Sequence, residues 1–175
     1  MSQTATNATQ TTNLYHLSDI SKPVVKDDKN IYLFKVLDDV QYQVRFRSTI
    51  FSTGNVITWA DGRSSFKARV DAGFIAEVKN LETGNITFPF EGESEMVSLV
   101  KDDEISVKLP TSKNGSFNFV VKATEEKKIK TIDDLKGLIV CGSKIDLVFK
   151  VGGYISEITK THGFYLTLTE ILGIE

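Results

Sequence analysis

The sequence predicts an all-β domain spanning residues 31–175, folded as a barrel or as a sandwich. Short alternating runs of apolar and polar residues recur along it. In Gln41–Arg47, Tyr42, Val44 and Phe46 fall on one side, and Gln41, Gln43, Arg45 and Arg47 on the other. Turn signals such as Asp61-Gly62 and Asn114-Gly115 separate the runs, at the spacing of about 8–12 residues usual in barrels and sandwiches. A clear helical signature is confined to Thr131–Gly137.

Taken in order, residues 1–13 (MSQTATNATQTTN) have too little apolar surface to offset their ordering entropy and are predicted to be a disordered tail. Residues 14–30 read as an extended arm. Ile31–Val36 is the first strand and Gln41–Arg47 the second. Val56–Ala60 and Ser65–Asp71 form a hairpin about Asp61-Gly62. Phe66, Ala68 and Val70 face inward there, and Lys67 and Arg69 outward. Trp59, two residues from the turn, is placed to be partly exposed. Phe74–Leu81 fits a strand or a helical turn, with the alternation favouring strand. Glu82–Asn85 is a turn, and Ile86–Phe90 a short strand that Pro89 places at an edge.

Glu91–Glu95 follows as an acidic loop. Ile105–Leu109 and Phe117–Lys122 pair across Pro110 and Asn114-Gly115. In Thr131–Gly137, Thr131 caps a short helix, Asp134 stands at the capping-box position and Gly137 ends it. Leu138–Val151 is a strand or two broken by Gly142, with Cys141 a small core residue. Tyr154–Thr159 and Phe164–Ile171 make the last hairpin across Lys160–Gly163.

Net charge is −2, but the charge is segregated. Residues 41–70 hold all four arginines and Lys67 against the single acid Asp61, a local +4, so the remainder sums to −6. Residues 71–111 hold nine acids and three lysines. A field concentrated at one face matters more to a charged partner than the total does. No run is long enough to span a membrane and the N-terminus lacks a basic start with an apolar stretch, so an intracellular location is expected. A single cysteine, Cys141, leaves no internal disulfide.

The basic segment interleaves its cations with Tyr42, Phe46, Phe51, Trp59 and Phe66. Cations that track phosphates beside rings that stack bases are what a single-strand groove requires. The phosphate candidates are Arg45, Arg47, Arg63, Lys67 and Arg69. Phe51 and Trp59 are the stacking candidates, with Tyr154 and Tyr165 behind them. Phe46 and Phe66 share the inward register and go to the core. The plain alternative is a strand pair with an aromatic core face and a solvated polar face.

Two histidines and one cysteine are too few for a usual zinc site. His16 falls in the arm and His162 in the last turn, both read as surface residues. Asp102-Asp103-Glu104 are consecutive, so their side chains diverge instead of converging on a cation. No phosphate loop, dinucleotide fingerprint or nucleophile–base pair is found. Neither an enzyme nor a cofactor is expected.

The C-terminal third carries a likeness. Gly142-Ser143-Lys144-Ile145-Asp146-Leu147-Val148-Phe149-Lys150 runs into Gly153-Tyr154-Ile155, and then Lys160-Thr161-His162-Gly163-Phe164-Tyr165-Leu166-Thr167-Leu168. This pattern resembles the closing strands of OB-fold single-stranded DNA-binding proteins of phages and large DNA viruses. The resemblance implies an OB-type Greek-key barrel of five or more strands with extra hairpins, the sandwich being the alternative. It implies a protein that coats single-stranded DNA, or RNA, with little sequence specificity, in replication, recombination or repair. The chain ends Ile171-Leu172-Gly173-Ile174-Glu175 where many such proteins have an acidic recruiting tail. Contact with replication proteins would fall to residues 91–95, and self-association is a further expectation. A structural or interaction subunit of a viral or other assembly is the function reading from a different class.

Overall fold

The computed structural model describes residues 20–26 and 31–36 as strands, and residues 45–83, 93–112, 116, 118–122, 129 and 131–175. Among the described residues ten strands form one sheet, in chain order with two helices: β1 (Ile20–Lys26), β2 (Ile31–Val36), β3 (Arg45–Ser52), β4 (Ile57–Thr58), β5 (Ser64–Arg69), α1 (Ala72–Thr83), β6 (Glu95–Val97), β7 (Glu104–Leu109), β8 (Val120–Val121), α2 (Ile132–Lys136), β9 (Lys144–Ser156) and β10 (Thr161–Ile174).

Five strands close on themselves. β3 pairs with β9 and β5, β5 with β7, β7 with β10, and β10 with β9. Ranked by chain order, the ring runs first, second, third, fifth, fourth and back to first. Third and fifth are parallel, which antiparallel hairpins alone cannot give. This is the Greek-key closure of an OB-type barrel. The β1–β2 hairpin joins the ring through β2 and β9.

Alternation places the core. Phe46, Ile50, Phe66, Ala68, Ile105, Val107, Leu109, Ile145, Leu147, Phe149, Phe164, Leu166 and Leu168 are buried, while their strand neighbours Arg47, Phe51, Lys67, Arg69, Ser106 and Lys108 are exposed. β3 pairs with β5 only through Phe51 and Ser52. α1 packs where the two strands have parted, its Phe74 ring 6.0 Å from that of Phe46, which in turn lies 5.4 Å from Phe149.

Several expectations are corrected. Residues 72–83 are a helix and not a strand, so Glu82 and Thr83 belong to it and not to a turn. Phe74, Val78 and Leu81 are buried on one helical stripe, a period that the local alternation conceals. The Asp71 carboxylate accepts the Phe74 N–H at 2.7 Å and caps the first turn. Val120–Val121 pairs in parallel with β10 and not with Ile105–Leu109. Both edges of β7 are already taken by β5 and β10. The strand expected at Val56–Ala60 is only Ile57–Thr58.

The last hairpin turns at residues 157–160, with Lys160 at φ +51°. Thr161, His162 and Gly163 are therefore strand residues, paired with β9 and in parallel with β6. His162 accordingly leaves the turn, and Ser94 Oγ lies 2.7 Å from its Nδ1. Cys141 is exposed in a turn with Gly142 at φ +92°, not buried in a strand. Part of the arm, Ile20–Lys26, is strand β1, and Glu95 of the acidic loop opens β6. The expected helix is present with both arms of its capping box. Gly137 ends it in right-handed backbone at φ −78°. The tail at 1–13, residues 41–44 of the second strand, the strand at 86–90, residues 91–92 of the acidic loop, and His16 lie outside the described residues.

Candidate functional site

The outer faces of β5, β7 and β10 share a row of residues in register: Ser65 beside Lys108, and Lys108 beside Thr167. The β4–β5 hairpin rises at one end of this row. Its turn is closed by Gly62 at φ +81°, a conformation open to glycine, and by hydrogen bonds from Gly62 N to Trp59 O (2.9 Å) and from Trp59 N to Arg63 O (2.8 Å). Pro110, Thr111 and Ser112 bound the groove beyond the end of β7, and Tyr165 and Thr167 form its floor on β10. The groove measures about 930 Å³.

Trp59 is 57% exposed although it is the largest side chain in the molecule. Its indole N–H reaches Ser65 Oγ only at 3.5 Å, so the ring is held loosely over the groove. Arg63 beside it bonds Asp61 through its backbone N–H (3.0 Å) and its Nε (2.6 Å). The Arg63 guanidinium holds the Asp61 carboxyl below the usual carboxylate range. Lys108 has no acidic partner among the described residues, and its ammonium is the free cation of the groove. Burial pushes the Tyr165 phenol above the ordinary tyrosine range.

The remaining sequence candidates divide in two. Along β5 the outer row continues from Ser65 to Lys67 and Arg69. Lys67 lies opposite Ser106 and 4.0 Å from Glu104, while Arg69 lies opposite Phe51. Phe51 is 48% exposed. Lys67, Arg69 and Phe51 thus prolong the strip that starts at Trp59.

Arg45 and Arg47 lie elsewhere, at the far end of β3 beside β9. Arg47 binds both oxygens of Asp146 through its Nε at 2.9 and 3.0 Å. Arg45 bonds Glu170 at 2.5 Å, and Lys122 reaches the same carboxylate at 2.9 Å. The Lys122 ammonium, with help from Arg45, lowers the Glu170 pKa. Arg45 Nε is buried with no partner among the described residues. Both arginines are committed to acids. Tyr154 sits on β9 opposite Gly163, diagonal to Tyr165.

Sequence reasoning passed over Lys108, Ser106 and Thr167. The signal was present: Ser106 and Lys108 alternate with Ile105, Val107 and Leu109 as plainly as Arg45 and Arg47 do with Phe46. It is masked because β7 lies in the segment of net negative charge, away from the arginines.

No protein-family model matches the chain, and no curated protein matches it. Among solved structures it is similar to the single-stranded DNA-binding protein from bacteriophage Enc34, at 15% identity over 86% of this chain and 88% of that one, with a TM-score of 0.47. A C-terminal truncation of that protein gives 14% identity, 84% and 89% coverage, and a TM-score of 0.47.

Proposed function

We propose that this chain binds single-stranded nucleic acid, DNA before RNA, along the strip from Trp59 and Tyr165 through Lys108 to Lys67, Arg69 and Phe51. The observation that carries this reading is Trp59: an indole left 57% exposed over a groove whose Lys108 has no acidic partner among the described residues. Exposing so large an apolar ring forgoes burial worth about 1.5–3 kcal/mol, which a bound base would restore by stacking.

The chemistry follows from the residues. Lys108, Lys67, Arg69 and Arg63 meet phosphates, with Arg63 exchanging Asp61 for the strand. The hydroxyls of Ser65, Ser106, Ser112 and Thr167 offer neutral donors to phosphate and sugar oxygens. Rings accept any base through its π face, so the site is tolerant of sequence. Such a protein would coat exposed strands in replication, recombination or repair. Glu93 and Glu95, both exposed, would be available to partner proteins, and self-association would line copies along the strand.

The test is fluorescence anisotropy of a labelled oligo(dT) over a salt series. With three to four phosphate contacts, the log–log slope should lie near −2 to −3, from about −0.7 per contact. A duplex of equal length should compete poorly, because its bases are stacked already. A slope near zero, or equal competition by duplex, would refute the reading.

A further inference from the structure

β9 and β10 carry the same three-residue phrase, glycine, any residue, tyrosine: Gly152-Gly153-Tyr154 and Gly163-Phe164-Tyr165. The antiparallel register sets Tyr165 opposite Gly152 and Tyr154 opposite Gly163. Backbone conformation does not demand either glycine, since the positive-φ glycines among the described residues are Gly62 and Gly142. Space demands them. A Cβ on Gly152 would stand 2.3 Å from Tyr165 Cζ, 2.5 Å from its Oη and 2.8 Å from its Cε1. On Gly163 it would stand 3.1 and 3.2 Å from Tyr154 Oη and Cε1, and 2.8 Å from the Val97 carbonyl oxygen.

Side chains on a strand ordinarily stand roughly perpendicular to the sheet. Tyr165 instead leans across onto β9, its ring over the Gly152 backbone. Tyr165 also lines the groove. We infer that Gly152 is a positioning residue of the groove: without a Cβ, it lets Tyr165 lie flat and offer a ring face, not an edge, to a base. This rests on the reading of the groove as a single-strand site. Tyr154 over Gly163 repeats the arrangement one diagonal step along the hairpin. There a Cβ would also meet the backbone of β6, so Gly152 is the cleaner position to test.

Gly152→Ala, Tyr165→Ala and the double variant are compared by melting temperature, oligo(dT) anisotropy and alkaline titration of tyrosine absorbance. Each single variant should bind about 5-fold to 150-fold more weakly, the range of one lost stacking contact. The double should bind no worse than Tyr165→Ala, because Gly152 acts through that ring. In Gly152→Ala one phenol should titrate nearer the ordinary tyrosine range. Should Gly152→Ala fold poorly, the double variant, lacking the ring that the new methyl strikes, should melt close to Tyr165→Ala.

Losses that add in the double variant, a double that melts far below Tyr165→Ala, or unaltered binding by Gly152→Ala each overturn the inference. Absence of oligo(dT) binding by the wild type overturns the groove reading and the inference with it. Wild-type binding that Gly152→Ala leaves unchanged overturns the inference alone.

Discussion

At the scale of residues, burial separates rings of the same kind into two roles. Phe46 and Phe66 are 3% and 1% exposed, and truncating either to Ala should cost about 3–5 kcal/mol of stability. Trp59→Ala should instead weaken oligonucleotide affinity by about 1–3 kcal/mol with the melting temperature nearly unchanged. A large fall in melting temperature with binding intact would reverse that assignment. The cations divide in the same way. Lys108→Ala should flatten the salt slope by about 0.7, one phosphate contact, whereas Arg47→Ala should leave it in place because Asp146 already neutralises that guanidinium. Flattening by Arg47→Ala with none from Lys108→Ala would put the interface on β3 and not on β7. Which arginines carry acids was not legible in the sequence: Asp146 and Glu170 lie 99 and 125 residues from their partners and meet them only through the β3–β9–β10 register.

At the scale of elements, local signals succeeded where the chain is its own partner. The capping box of Thr131 and Asp134 and the Asp61-Gly62 turn are short-range features and stand as written. Phe74–Leu81 failed because Phe74, Ala76 and Val78 satisfy a period of two while Phe74, Val78 and Leu81 satisfy one near 3.6. The gap between β3 and β5, a tertiary feature, decides between them. Asp71→Ala, which removes the cap on Phe74 N, should therefore destabilise the fold by about 1 kcal/mol, measured by denaturant unfolding; no change would mean the cap is dispensable.

β10 and β8 are fastened by Glu170, whose carboxyl is held low mainly by Lys122 and then by Arg45. A lowered folded pKa stabilises above the ordinary glutamate value of about 4.3 and loses that contribution as pH falls through the folded value. The melting-temperature gap between wild type and Glu170→Gln should thus be present at pH 7 and close in acid. A gap independent of pH would assign Glu170 a packing role.

At the scale of the whole molecule, the all-β class was legible because period-two runs and turn residues are written locally. The OB-type closure was legible only through the likeness of the last two strands, since the parallel contact of β7 with β10 joins Lys108 to Thr167, 59 residues apart in sequence. That contact also shapes the groove, bringing Lys108 of an acidic segment beside Thr167 of the closing hairpin in a groove that Trp59 and Tyr165 also line. For a nucleic-acid strand lying in this groove, the protein carries its own reporter in its single tryptophan. Titration with oligo(dT) at low salt, read by Trp59 emission, should quench the fluorescence saturably and lose the quench at high salt. Emission unchanged through the titration, under conditions where labelled oligo(dT) is bound, would place the strand elsewhere and contradict the account.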